Sequence, residues 1–379
     1  MIHLKNIFLV VLIMGTFIRC TELYNPVIDS HADALIVEGL ITDGTGPFTV
    51  KLSKSVLFTS DSISDMKFVS GAKLVVTDNK NNTFELTDEG TGNYIMPVDF
   101  KAITGDSYTL HIQTSDGNVY ESSSQQLLPP QSFDSIRGYY TVNGYMGVNN
   151  ELKTVGGADV KVDLFKSVSG LDSVPRCRFN SNITVQYFFA LYNPLIVDWH
   201  WAYFGWVSLP LNSIENITDE KIVSSGTLIK NHSLGFIPFG IESYGFNTPT
   251  YSSVIYYLRV DQYTMNNDSY LFYEGANKQL AASGKIFDPV TAQLYGNMKC
   301  VNNPSKTVLG LFEVSSVTQH AFVVSLLDQE KSIVIKKVPY INIPSTPEKS
   351  YKVWDGNPLL KPNDSAFNAI PFPNWWYHD

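Results

Sequence analysis

Charge is scarce in this sequence: only 17% of its 379 residues are Asp, Glu, Lys or Arg, against 44% apolar and 13% aromatic residues. Such a chain has little with which to cover the outer faces of long amphipathic helices. Its Tyr, Phe, Asn, Ser and Thr suit pleated, half-buried surfaces instead, so a mainly β protein is expected. Basic residues are the scarcer sign, 27 against 36 acidic ones, which leaves a net charge of −9. No Lys/Arg cluster offsets this average. The field that would release counterions from a phosphate backbone is missing, and nucleic acid is not an expected partner.

Motifs of known chemistry are missing too. The chain has no Cys-x-x-Cys, His-Glu-x-x-His, Gly-x-Ser-x-Gly or phosphate-binding glycine loop, and its 7 histidines are scattered, so neither a metal nor a cofactor is expected. Asp78 to Asn82 resembles the start of a calcium loop but lacks the glycine at the sixth position and the closing acid; it reads as a hairpin turn. A pair of carboxylates for glycoside hydrolysis need not be close in sequence, and no pair stands out. The expectation is a protein that is not an enzyme, with a hydrolase of unrecognised site as the alternative.

Long apolar runs are confined to the start. Lys5 closes a short polar beginning, and Ile7 to Ile18 form an uncharged run that stops at Arg19-Cys20. That is the layout of a secretory signal over residues 1–19, too short for the roughly 20 apolar residues that span a bilayer. Cys20 then stands where a bacterial lipoprotein is cut and acylated, which anchors it to the membrane at about 0.8 kcal/mol per buried methylene. Phe17-Ile18-Arg19 lacks the small residues usual before such a cysteine, and the competing reading is an ordinary cleaved signal. In an exported protein the remaining two cysteines, Cys177 and Cys300, either pair as a disulfide or lie apart as buried thiols.

From Leu35 the pattern is one of short strands. Phe48, Val50 and Leu52 alternate with polar residues, as do Tyr108, Leu110 and Ile112, and turn chemistry falls at Asp43-Gly44, Asp78 to Asn82, Gly90 to Asn93 and Ser115 to Asn118. After a linker over 20–34, residues 35–128 are expected to form an immunoglobulin- or transthyretin-like β-sandwich, ended by Leu127-Leu128-Pro129-Pro130. A larger β-rich second domain over 131–345 follows. It contains one clear helix near 267–283, capped at Asn267-Asp268 and stopped at Ser283-Gly284, with Tyr270, Tyr273, Asn277, Leu280 and Ala281 on one face. Residues 346–379 read as an irregular aromatic tail.

All 6 tryptophans lie after Pro130. Trp199, Trp201, Tyr203 and Trp206 alternate, so an extended strand is expected to carry them on one face, either as a recognition stripe or as core. Trp375, Trp376 and Tyr377 in the tail either pack on their own domain or dock on a partner.

Several segments carry a resemblance: CTELYNP from Cys20, LIVEGLITDGTGPFTVKLSKS from Leu35, GNYIM from Gly92, DGNVYESS from Asp116, and SGKIFDPVTAQLYGNMKCVNNPSKTVLGLFEVSSV from Ser283. Together they resemble an uncharacterised lipoprotein family of the Bacteroidetes that carries a domain-of-unknown-function label. Its genes often lie beside those of TonB-dependent outer-membrane receptors, and it has no established catalytic residues. The resemblance implies a lipid-anchored outer-membrane protein, on the periplasmic or the surface side. A TonB-dependent receptor is then the expected partner, with the protein as accessory or cargo-binding subunit; a structural or assembly role in the envelope is the alternative.

If Cys20 carries the anchor, Cys20→Ser moves the protein from the membrane fraction to the soluble one. Fractionation of washed membranes checks this, and retention of the variant would refute the lipid anchor.

Overall fold

The computed structural model describes residues 34–55, 67–146, 151–164, 176–193, 198–212, 216–218, 229–239, 251–282, 294, 296–327, 331–341 and 349–352. The signal region with Cys20, and the tail with Trp375, Trp376 and Tyr377, lie outside them.

The protein is mainly β. Ten strands precede Pro130: β1 (Leu35–Ile41), β2 (Thr49–Lys54), β3 (Lys67–Phe68), β4 (Lys73–Asp78), β5 (Thr83–Glu85), β6 (Thr87–Asp88), β7 (Asn93–Ile95), β8 (Ser107–Gln113), β9 (Val119–Ser122) and β10 (Gln125–Gln126). After it come β11 (Ser135–Met146), β12 (Leu152–Leu164), β13 (Cys177–Asn193), β14 (Asp198–Pro210), β15 (Asn216–Ile217), β16 (Ile229–Pro238) and β17 (Tyr251–Thr264). Helix α1 (Asn267–Ala282), the one helix among the described residues, is followed by β18 (Met298–Cys300), β19 (Val308–Val314), β20 (Ser316–Leu327), β21 (Ser332–Val338) and β22 (Lys349–Lys352).

These strands make four sheets, paired around two cores. The first core lies between the sheet β19-β1-β2-β7-β6, with β3 beside β2, and the sheet β18-β9-β8-β4-β5, with β10 beside β8. The alternating residues Val50, Leu52, Tyr108, Leu110 and Ile112 all point into it and are buried, as their period of two requires. The turns behave as their residues dictate. Asp78 Oδ1 accepts from the Lys80 and Asn82 amides, both at 2.8 Å, which closes the hairpin where the partial calcium pattern stood.

This first sandwich is not made by residues 35–128 alone. β19 pairs in parallel with β1, Leu35 opposite Val308 through Ile41 opposite Val314, and β18 adds to β9 in the other sheet. Met298, Cys300, Val308, Phe312 and Val314 thus belong to the first core. The return of this segment depends on glycine: Gly310 has φ +91, and a Cβ there would stand 2.0 Å from the Val37 carbonyl oxygen. The punctuation at Pro129-Pro130 ends the first run of strands, but the chain comes back across it.

The second core lies between the sheet β11-β12-β16 and the sheet β21-β20-β17-β13-β14-β22, with β15 beside β13. Val160, Val162 and Leu164 alternate into it as expected, against Phe179, Ile183, Leu258 and Phe322. Cys177 sits in this core and Cys300 in the first one, so the two thiols form no bridge. The pairing expectation fails because each cysteine fills a separate apolar layer. Burial pushes the Cys177 thiol up to about 12, which leaves it uncharged and unreactive.

Because β18 and β19 complete both sheets of the first sandwich, a fragment ending at residue 130 exposes Val37, Tyr120 and their neighbours along two open edges. It is expected to lack dispersed amide resonances in a heteronuclear NMR spectrum, whereas the whole mature chain shows them. A well-dispersed spectrum from the fragment would refute the dependence.

Candidate functional site

The two sandwiches meet through charge. Glu313 lies between Phe312 and Val314 on β19, and Arg178 lies between Cys177 and Phe179 on β13; in each case the neighbours point into a core. Strict alternation therefore turns Glu313 and Arg178 away from their own cores and toward each other. Glu313 is 1% exposed and Arg178 7%. Arg178 Nη2 donates to both carboxylate oxygens, at 3.0 and 3.2 Å. Tyr273 Oη donates to Oε2 at 2.5 Å and Ser315 Oγ to Oε1 at 2.7 Å. The Tyr263 and Tyr273 rings lie 4.2 and 4.7 Å from the guanidinium carbon, adding cation–π attraction.

Helix α1 supplies Tyr273 and is itself placed by caps. Its first turn is capped by Asn266, whose Oδ1 accepts from the Ser269 amide at 3.0 Å, one residue before the cap expected at Asn267-Asp268. Asp268 is left to face the first sandwich, where Oδ2 accepts from Ser123 Oγ at 2.7 Å and Gln125 Nε2 at 3.0 Å. Asn266 Nδ2 donates to Gln125 Oε1 as well. Tyr270 is buried and its hydroxyl donates to the Thr218 carbonyl at 2.8 Å. Burial weakens along the helix: Tyr270 is buried, Tyr273 and Asn277 are half-buried, and Leu280 is 56% exposed.

Two clefts flank this helix. One, of about 530 Å³, lies between the outer face of β1, β2 and β7 and the helix, with Glu38, Thr49, Lys51 and Asn93 on one wall and Phe272 and Tyr273 on the other. Arg178 and Glu313 close its inner end. The second, of about 420 Å³, lies across Phe272 and is lined by Ser123, Asp268, Asn297 and Lys299. Of these residues the sequence singled out only Asp268 and Tyr273, and those for the helix and not for a site. The available signal was Glu313 itself, a lone carboxylate inside the apolar run Val308 to Val314.

The buried carboxylates are all engaged in structural contacts. Asp163 accepts from Arg137, Ser135 and the Asn231 amide, and that amide above all holds its carboxyl below the usual carboxylate range. Asp106 accepts from Lys80 Nζ at 2.7 Å. His320 lies 3.3 Å from Ser132 Oγ, a spacing compatible with a nucleophile and its base. Burial lowers the imidazole to about 4, however, and its ring stacks with Phe133 and Phe322. It is a neutral core ring and a weak base.

The four aromatics do not share one register parity. Trp199, Trp201 and Trp206 on β14 pair with Tyr192, Ala190 and Gln186, but Tyr203 pairs with Phe189, and the register shifts between Phe189 and Ala190. Tyr203 therefore holds a register position of opposite parity to the three tryptophans. Trp206 stands three positions after Tyr203, so the spacing already splits the set, and the bulge decides that Tyr203 and not Trp206 is out of step.

Glu313→Ala leaves Arg178 buried without its carboxylate and is expected to cost about 3–5 kcal/mol in urea unfolding. Replacing both, Arg178→Met with Glu313→Leu, should recover most of that loss. Equal destabilisation by the single and double variants would contradict this account of the junction.

No curated protein matches the chain. A family model described as a domain of unknown function, DUF4249, matches residues 21–321, which include the first sandwich, the second as far as the start of β20, the Arg178–Glu313 pair and helix α1. This chain therefore belongs to the DUF4249 family.

Proposed function

We propose that this protein is a lipid-anchored, non-catalytic accessory or cargo-binding partner of a TonB-dependent transporter in a bacterial outer membrane. The observation that supports the reading best is the end-to-end order of the molecule. β1 begins at Leu35, opposite Val308, and ends at Ile41, whose carbonyl accepts from the Ser315 amide as β19 passes into β20. The chain thus enters the first sandwich at the pole remote from the second. An anchor at Cys20 would leave the second sandwich held off the membrane by the length of β1, about 20 Å.

At the far pole one hairpin outruns its core. β11 and β12 stay paired from Tyr140 opposite Ala158, a core residue, out to Met146 opposite Leu152. β13 and β14 stay paired out to Asn193 opposite Asp198. Val142 and Leu152 on the first hairpin are 59% and 75% exposed; no charged residue occurs from Gly138 to Asn150, and the Glu151–Lys153 ion pair flanks Leu152 at 2.9 Å. Within Tyr187 to Pro210, Asp198 alone carries a fixed charge. Exposed apolar side chains on a projecting hairpin suit contact with another protein.

Affinity capture of the full-length protein from solubilised native membranes tests this. A TonB-dependent receptor should co-purify, and Val142→Asp with Leu152→Asp, or deletion of Pro371 to Asp379, should reduce its recovery. Both substituted positions are exposed, so unfolding should shift by no more than about 0.5 kcal/mol. Capture of no receptor, or undiminished capture by both variants, would refute the reading.

A further inference from the structure

We infer that the cleft between the first sandwich and helix α1 binds a neutral carbohydrate, on the row Glu38, Lys51, Asn93 facing Phe272. Pairing puts these three side chains in line across the sheet: Glu38 lies opposite Lys51 on β2, and Lys51 opposite Asn93 on β7. Thr49, two residues before Lys51, shares their face. Adjacent strands run about 4.8 Å apart, so the row presents an acceptor, a donor and an amide at intervals on the scale of the hydroxyls around a sugar ring. Thr49 and Asn93 have no side-chain hydrogen bond among the described residues.

The facing wall is aromatic. Phe272 is half-buried, lies edge-to-face with Tyr273 at 5.6 Å between centroids, and stands between the two clefts. A pyranose has an apolar C–H face and a polar rim; the first meets the electron-rich face of an aromatic ring, the second a line of planar polar groups. The volume, about 530 Å³, falls within the range of small-ligand sites.

Charge and topology argue against other occupants. Lys51 Nζ lies 3.9 Å from Glu38 Oε2, and Arg178 is bonded to Glu313, so the lining carries no net charge to select an anion or a cation. The floor is the face of a sheet and not its edge: β2 is paired with both β1 and β7, so its backbone groups are already bonded. A peptide therefore cannot add there as a further strand.

The test is titration of the mature protein by calorimetry and saturation-transfer NMR. The probes are maltose, cellobiose, lactose and N,N′-diacetylchitobiose, with digalacturonate and acetyl-trialanine amide for comparison. At least one neutral disaccharide should bind, and Phe272→Ala should weaken it tenfold or more. Thr49→Arg, which puts a long cation into the cleft from an exposed strand position, should weaken it similarly without moving the unfolding midpoint. Binding of no disaccharide, preference for the charged or peptide probe, or full affinity in both variants would overturn the assignment. Receptor capture by Phe272→Ala is expected to be unchanged, which separates this proposal from the transporter reading.

Discussion

The buried pair Arg178–Glu313 is the contact on which the arrangement of the molecule depends. Each partner sits on a strand whose neighbouring residues are committed to a core, so neither can turn back to water without unthreading that core. The Coulomb attraction between them roughly offsets the cost of taking both charges out of water, and such pairs add little net stability. Their effect is directional. A carboxylate that already accepts from Tyr273 and Ser315 fixes where the guanidinium must lie, and with it the angle between the two sandwiches and helix α1.

The route of the chain reinforces this coupling. It crosses from the second sandwich to the first through α1, completes both sheets there with β18 and β19, and returns through Ser315 to β20. Val317 donates its amide to Asp43 Oδ1 at 2.7 Å, and Gln131 donates to Thr264 Oγ1 at 3.0 Å, so backbone groups near the crossings are tied to the opposite side. A rigid junction follows from these connections, which link residues more than a hundred positions apart.

The same junction makes the clefts. Two convex sandwiches joined over a limited area leave wedge-shaped gaps around the join, and the faces of strands and one helix line them. Here the outer row of β1, β2 and β7, which in an isolated sandwich would face only water, acquires an aromatic wall opposite it. The distal hairpin of β11 and β12 arises differently: its strands are longer than the core that supports them, which leaves Val142 and Leu152 exposed.

Much of the β-structure was legible from residue order. The alternation at Val50-Leu52, Tyr108-Ile112 and Val160-Leu164 named buried positions correctly, since a period of two leaves a strand no choice of face. The turns at Asp78 to Asn82 and the helix beginning at Asn267 follow from side chains that bond their own backbone. Partners distant in sequence were not legible. That β19 would lie beside β1, that Cys177 and Cys300 would enter different cores, and that Glu313 would meet Arg178 were decided only on folding. Local bonding and periodicity act within a few residues and can be read along the chain, whereas pairing between strands 135 or more residues apart depends on which apolar faces close together, a property of the whole assembly.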